Sequence, residues 1–456
     1  MIATIFANVF TICLITANIY FFKSKKYLNL FFPCILFLPS YYGVEITEAL
    51  PLITAARLMF LVFFIYTFVN KRRNLNLRAL KIKDLPKEYL LLFGYFVLRI
   101  VSNLYYVTTY GQAAKTIMSI VFEQLLLLVA MYMLAPTRDE IIGVMRAIVV
   151  GATVLFIAGI FESFTSIRIS DALFTINRFA LNERYFRLGL LRATATLGLP
   201  GFYGNMCMYM LPIIFYLYEV TRSPKYLVIT FLDILATIHS GCRSDVIFLV
   251  AICAIYFMYV LKGKERKVLF IKNAVIVIIA LSLYIGLSCV QSQNLKYFYV
   301  GSGKSVLNQI GFDFDLDEGA PTGTGGFGSN SDGSYSRTAQ FSGMQYVANI
   351  NPVFGLGSGA QVRKEIKYYW HEQWLPSHTY DLGIVEIFCD EGIIGTLGLS
   401  LIIIFMIIAS RKNKYYQLAI FTYLISTLST ANVYVYIMLF IIIFSERIIG
   451  ETRTTV

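Results

Sequence analysis

Histidine is the side chain whose unperturbed pKa suits proton transfer near neutral pH. The chain has three: His239, His371 and His378. Arginine is the second type able to do chemistry here, because its guanidinium stays charged and its fork matches the oxygens of an anion in bidentate geometry. Three polar knots between long apolar runs carry these residues. The first, ERYFRLGLLRATATLGLPG from Glu183 to Gly201, contains Arg187 and Arg192. The second is His239-Ser-Gly-Cys-Arg243-Ser-Asp245. The third is the water-facing stretch 291–380, which contains Arg337 and closes on Ser377-His378-Thr379-Tyr380, ahead of Glu386 and Asp390-Glu391-Gly392. Anion binding by arginine and proton transfer by histidine are the chemistry these knots offer.

The elements that must position them are membrane spans. Hydrophobic residues make up 57% of the chain and charged residues 14%, against about 25% charged in a soluble domain. Apolar runs recur near 1–22, 27–43, 51–69, 89–107, 114–135, 141–164, 197–219, 226–239, 244–261, 268–290, 384–410, 415–431 and 433–446. A crossing takes roughly 20 apolar residues. The expectation is an all-α polytopic membrane protein of about 12–14 spans with one large outer loop. Met1–Phe22 has no basic stretch ahead of it and reads as a first span, not a cleavable signal. The domains expected are a bundle over 1–290 with an outer arginine loop at 165–196, an extracytoplasmic loop at 291–380, and C-terminal spans over 381–456.

Basic clusters fix the orientation. Lys23, Lys25 and Lys26 follow the first span, and Lys71, Arg72, Arg73, Arg78, Lys81, Lys83 and Lys87 follow the third. Lys262, Lys264, Arg266 and Lys267 precede the tenth; Arg411, Lys412 and Lys414 follow the eleventh. With alternating crossings all four fall on one side, which the positive-inside rule makes cytoplasmic. That accounts for the net charge of +12 without nucleic acid. The loops at 43–50, 107–113, 165–196, 239–243 and 291–380 then face outward. The 165–196 loop breaks the rule with Arg168, Arg178, Arg184, Arg187 and Arg192, and an anionic ligand explains arginines on the wrong side.

Other features read as scaffold. The seven cysteines form no CxxC pair and no metal site is expected. Phe312–Gly319 (FDFDLDEG) reads as a solvated turn in preference to a calcium site, and Thr322–Ser334 as a flexible glycine-serine spacer. That tract lacks the lysine and the strand–loop–helix context of a phosphate-binding loop. Ser336–Ala348 has helical spacing and is expected on the membrane surface. His371, beside Trp370 and Trp374, fits an aromatic interface belt, with sugar stacking as the sharper option. Arg99 and Arg146 lie inside spans, where pairing is the natural state.

The three knots, in their order, resemble the O-antigen ligase/polymerase family of bacterial polysaccharide assembly. The resemblance rests on Arg192 ahead of Gly198 and Pro200, on Cys242-Arg243-Ser244 between two helices, on Pro352, Gly355 and Gly357 in the large loop, and on His378 followed by Glu391-Gly392. It covers roughly residues 190 to 400 and departs at Thr379 and Gly201, where asparagine is usual. It implies a GT-C-like glycosyltransferase at the outer face of a bacterial cytoplasmic membrane, without cofactor or metal. Its donor would be an undecaprenyl-diphosphate-linked oligosaccharide. Arg192 and Arg243 would stabilise charge on the departing diphosphate, with Arg337, Arg187 and Glu391 contacting diphosphate or sugar. His378 would take the acceptor's proton or orient it. A chain-length regulator and a flippase would be partners, besides membrane lipid.

Plainer roles stand beside these. Arg187 and Arg192 can snorkel to headgroups, Arg243 can pair with Asp245, His378 can cap the next helix, and His239 can be a satisfied polar residue. A polymerase of repeat units is the leading expectation. A ligase of the same family is the near alternative and a lipid-linked oligosaccharide flippase the alternative of another class. A flippase calls for repeated halves and mid-membrane charges, whereas the charges here gather at one rim.

Overall fold

The apolar runs fold as helices, since only a helix satisfies its own backbone without water. A computed structural model describes residues 2–45, 52–73, 87–176, 184–321, 331–370, 372–376, 382–411 and 413–427. In chain order the helices are α1 (Ile2–Lys23), α2 (Leu28–Phe37), α3 (Ala55–Asn70), α4 (Lys87–Leu104), α5 (Gly111–Ser119), α6 (Leu126–Leu134), α7 (Arg138–Thr165), α8 (Pro200–Thr221), α9 (Lys225–His239), α10 (Arg243–Ile255), α11 (Lys264–Gln291), α12 (Gln293–Gln309), α13 (Ser331–Ile350), α14 (Gly383–Ser410) and α15 (Lys414–Ser426). Among the described residues three antiparallel hairpins interrupt them: β1 (Gly43–Val44) with β2 (Ile53–Thr54), β3 (Phe186–Arg187) with β4 (Leu190–Leu191), and β5 (Lys367–Trp370) with β6 (Gln373–Pro376).

Among the described residues six helical segments are long and apolar enough to cross a membrane: α1, Gly111–Leu134, α7, Arg243–Val260, α11 and α14. The second and fourth contain π-turns at Ile120–Leu125 and Tyr256–Val260. The shorter helices Leu28–Phe37, Ala55–Asn70 and Tyr89–Leu104 are also apolar. The protein is thus a largely helical, multi-pass membrane protein. The run expected over 27–43 is cut short because Leu38 turns to extended backbone (ψ 136°) just before Pro39. The run at 433–446 lies outside the described residues.

The chain divides into two compact units, 1–63 with 142–330 and 64–141 with 331–456. The division separates the 291–380 stretch at residue 330. In the first unit α8 is buried on every side from Tyr203 to Leu217, as a central helix must be. By contrast α1 has no buried residue, and α11 exposes Ile271, Ile278 and Leu283, the apolar surface a helix shows to lipid. The 165–196 segment touches both the 43–50 and the 239–243 loops. Thr175 donates its Oγ1 to the Gly43 carbonyl at 2.8 Å, and the Ala193 amide reaches the His239 carbonyl at 2.9 Å.

In the second unit α4 packs along α14. Arg99 of α4 is fully buried and both Glu391 carboxylate oxygens accept from its guanidinium. One residue later α14 breaks at Gly392 (φ 66°, ψ −157°). The loop after α13 fills the break. The Leu356 and Gly357 amides donate to the Cys389 and Asp390 carbonyls at 2.8 and 2.9 Å, and the Pro352 carbonyl accepts from Ile393 at 2.9 Å. Irregular backbone survives inside a bundle only when protein satisfies it in this way. The helix expected over 336–348 is present as α13, and it starts at Ser331, inside the stretch read as flexible spacer. The correction has a simple cause: serine and aspartate, here Ser331 and Asp332, are residue types that favour a helix start.

Candidate functional site

The Arg187–Arg192 segment is a short hairpin because Leu188 and Gly189 take positive φ (50° and 78°), which turns β3 back on β4. Beyond the hairpin, residues 193–199 form a strap that leads into α8 at Pro200. The turn between α9 and α10 is equally tight. The Gly241 amide reaches back to the Ile238 carbonyl at 3.0 Å, and Gly241 itself has φ 64°.

The hairpin and the turn are joined by arginine. Arg192 Nε donates to the Ser240 carbonyl at 2.9 Å, and its Nη2 to Cys242 Sγ at 3.0 Å. Arg187 Nη1 donates to the Gly241 carbonyl at 2.7 Å. Arg243 is the next residue along the chain and opens α10. Arg187, Arg192 and Arg243, from two separate sequence knots, are therefore brought to one turn, where the α10 N-terminus adds the partial positive charge of the helix dipole. Among the described residues the acceptors of Arg192 are neutral, so its positive charge is not cancelled by a carboxylate. Cys242 is buried, and burial pushes its thiol up, against the pull of Arg192 in the other direction.

His239 stands behind the turn and is fully buried. Its Nδ1 lies 2.9 Å from Ser163 Oγ and its Nε2 3.0 Å from Tyr299 Oη, while its ring stacks on Phe298 at 5.1 Å. That is the satisfied polar residue the sequence allowed for. Burial pushes the Tyr299 phenol up, so it serves the pair as a neutral hydroxyl.

The remaining expected site residues belong to the second unit. Glu391 departs furthest from its expected role as a substrate contact. It is 2% exposed and held by Arg99, so reaching a substrate would require opening a buried ion pair. Arg337 falls on α13 with its side chain outside what the structure describes, and His371 and His378 lie outside the described residues. Pro352, Gly355 and Gly357 form the loop that repairs the α14 break. Arg363, which sequence reasoning passed over, holds this loop through the Ser358 and Leu356 carbonyls at 2.9 and 2.7 Å and lies 3.6 Å over the Tyr110 ring. Lys304 meets Glu318 at 2.5 Å beside the acidic turn, and among the described residues no group of His, Cys, Asp and Glu is placed to hold a metal.

No protein-family model matches the chain, and no curated protein matches it in sequence.

Proposed function

We propose that the protein is a membrane glycosyltransferase that polymerises undecaprenyl-diphosphate-linked oligosaccharide repeat units. The product would be an O-antigen, capsule or exopolysaccharide, made at the outer face of a bacterial cytoplasmic membrane. The observation that carries the reading is the gathering of Arg187, Arg192 and Arg243 at one turn, with the Arg192 charge left uncancelled. A lipid diphosphate arrives at the membrane surface carrying concentrated negative charge. Glycosyl transfer moves still more charge onto it as the sugar leaves. Fixed guanidinium groups at the point where that charge grows lower the barrier without reorganising.

In this mechanism Arg192 and Arg243 hold the diphosphate and stabilise it as a leaving group, with Arg187 supporting the turn. The acceptor sugar hydroxyl attacks the anomeric carbon and loses its proton as the diphosphate departs; the family resemblance assigns that proton to His378 and a further cation to Arg337. The fold would be of the GT-C-like kind, a helical bundle that works on a lipid-linked donor with neither metal nor nucleotide sugar.

The direct test is purified protein with a lipid-linked repeat unit, read on a gel. A ladder supports polymerisation, and no extension by active protein would sink it. In cells, loss of a polymerase leaves single capped repeats, loss of a ligase leaves carrier-linked polymer, and loss of a flippase traps repeats inside.

A further inference from the structure

The last turn of α7 presents a physical oddity. Glu162 is 1% exposed and sits three residues from the C-terminus of a 28-residue helix. A helix C-terminus carries partial negative charge, and burial strips water from a carboxylate, so both effects oppose this residue in this place. What offsets them is a set of donors from a single short segment. Glu162 Oε1 accepts from Thr194 Oγ1 at 2.8 Å, and Oε2 accepts from the Ala195 and Thr194 amides at 2.7 and 3.3 Å. That segment is the strap directly after Arg192. Ala195 takes φ 46° there, a left-handed conformation that a non-glycine residue keeps only when its surroundings impose it.

The neighbouring residue performs the matching task on the other side. Ser163 is fully buried, and its hydroxyl meets His239 Nδ1 at 2.9 Å. The His239 carbonyl accepts from the Ala193 amide at 2.9 Å. Two consecutive side chains at the end of α7 therefore secure both halves of the arginine turn. Glu162 fixes the strap that follows Arg192, and Ser163 fixes, through His239, the turn whose carbonyls Arg187 and Arg192 grip.

We propose that Glu162 and Ser163, acting with His239, are positioning residues for the diphosphate-binding arginines. This rests on the reading of the arginine turn as a diphosphate site. None of the three touches the ligand. Glu162 acts through Arg192, and Ser163 and His239 through the Ser240 and Gly241 carbonyls.

Two measurements on the purified full chain test this. The first is the affinity for inorganic pyrophosphate of Glu162→Ala, Arg192→Ala and the double variant. Losing a hydrogen-bonded charged group should weaken binding about tenfold or more in each single variant. Because Glu162 acts through Arg192, the double variant should bind no more weakly than Arg192→Ala alone. Additive losses, or normal affinity in Glu162→Ala beside a weakened Arg192→Ala, overturn the positioning role. Glu162→Gln keeps one acceptor oxygen and should recover part of the affinity. The second measurement is amide hydrogen exchange over residues 190–199, which does not depend on any ligand. Glu162→Ala should speed exchange at Thr194 and Ala195, whose amides donate to it, and Ser163→Ala should speed it at Ala193. Unchanged exchange in both overturns the inference. If Arg192→Ala leaves pyrophosphate affinity intact while exchange in Glu162→Ala rises, the diphosphate reading fails and the inference falls with it, although the strap is shown to be held as described.

Discussion

Arg192 and Arg99 are the same side chain in opposite circumstances. Arg99 is fully buried, and its charge is cancelled by both oxygens of Glu391. Arg192 is partly exposed and donates to a carbonyl and a thiol. A neutralised guanidinium holds helices together and has nothing left for an incoming anion. One satisfied by neutral acceptors is fixed in place with its charge still available. The first arrangement gives a scaffold, and the second leaves a charge that an anion can meet. An arginine in a membrane protein is thus read by what cancels its charge.

The largest effect is expected where the cancelled pair is cut. Arg99→Ala or Glu391→Ala leaves an uncompensated charge in the α4–α14 contact, at a cost of about 3–5 kcal/mol. Thermal unfolding in detergent should show a large drop in midpoint for either single variant. The double variant Arg99→Met, Glu391→Leu should recover much of it, because replacing both charges removes the desolvation cost as well. Equal losses in single and double variants would show that the pair contributes more than charge balance.

On the other side of the comparison, Arg192→Ala should cost little stability and much activity. Removing one stabilising group from a growing negative charge typically lowers the rate about 10²–10³-fold. Polymer formation from a lipid-linked repeat should fall by that factor while the unfolding midpoint stays close to wild type. Arg192→Lys should fall nearly as far, since a point charge cannot reach both the Ser240 carbonyl and Cys242. Wild-type extension in Arg192→Ala would place the chemistry elsewhere.

Much of this contrast was legible in the sequence, and the rest was hidden for definite reasons. Apolar runs gave the helices because their length is set by the bilayer. Arg187 and Arg192 stood out because arginines in a loop expected outside break the positive-inside pattern, and Arg243 because charge at an expected membrane boundary is costly; the structure gathers the three at one turn. Glu162 and Ser163 were invisible, since a lone acid followed by serine at the end of an apolar run carries no spacing signal. Their meaning lies in donors some thirty residues away in sequence, Thr194 and Ala195. The Arg99–Glu391 pair was half legible: a structural pair was one role open to Arg99 inside a span, but no local pattern names a residue 292 positions on. The Gly355 and Gly357 motif looked like a site element. In the structure the Leu356 and Gly357 amides are engaged at the α14 break, a tertiary use that no single-sequence pattern encodes.

Glycine substitutions probe the two regions with a smaller perturbation. At Gly392 (φ 66°) an added Cβ would overlap the Val353 carbonyl and the Gly355 amide, so Gly392→Ala is strained both by its backbone and by its neighbours. A loss of about 1–3 kcal/mol is expected, seen as a lowered unfolding midpoint.

Gly241 (φ 64°) is the counterpart at the arginine turn, and an added Cβ there would sit 3.1 Å from Arg192 Cγ and Nε. Those atoms belong to a side chain that can shift, so steric cost is small and the backbone term of about 1 kcal/mol dominates. The consequence lies in function: Arg192 must shift by a few tenths of an ångström, which disturbs its grip on the Ser240 carbonyl. Gly241→Ala should therefore weaken pyrophosphate binding by a larger free energy than it removes from stability, whereas Gly392→Ala should do the reverse. If both variants lose stability and binding in the same proportion, the separation of scaffold arginine from site arginine is wrong.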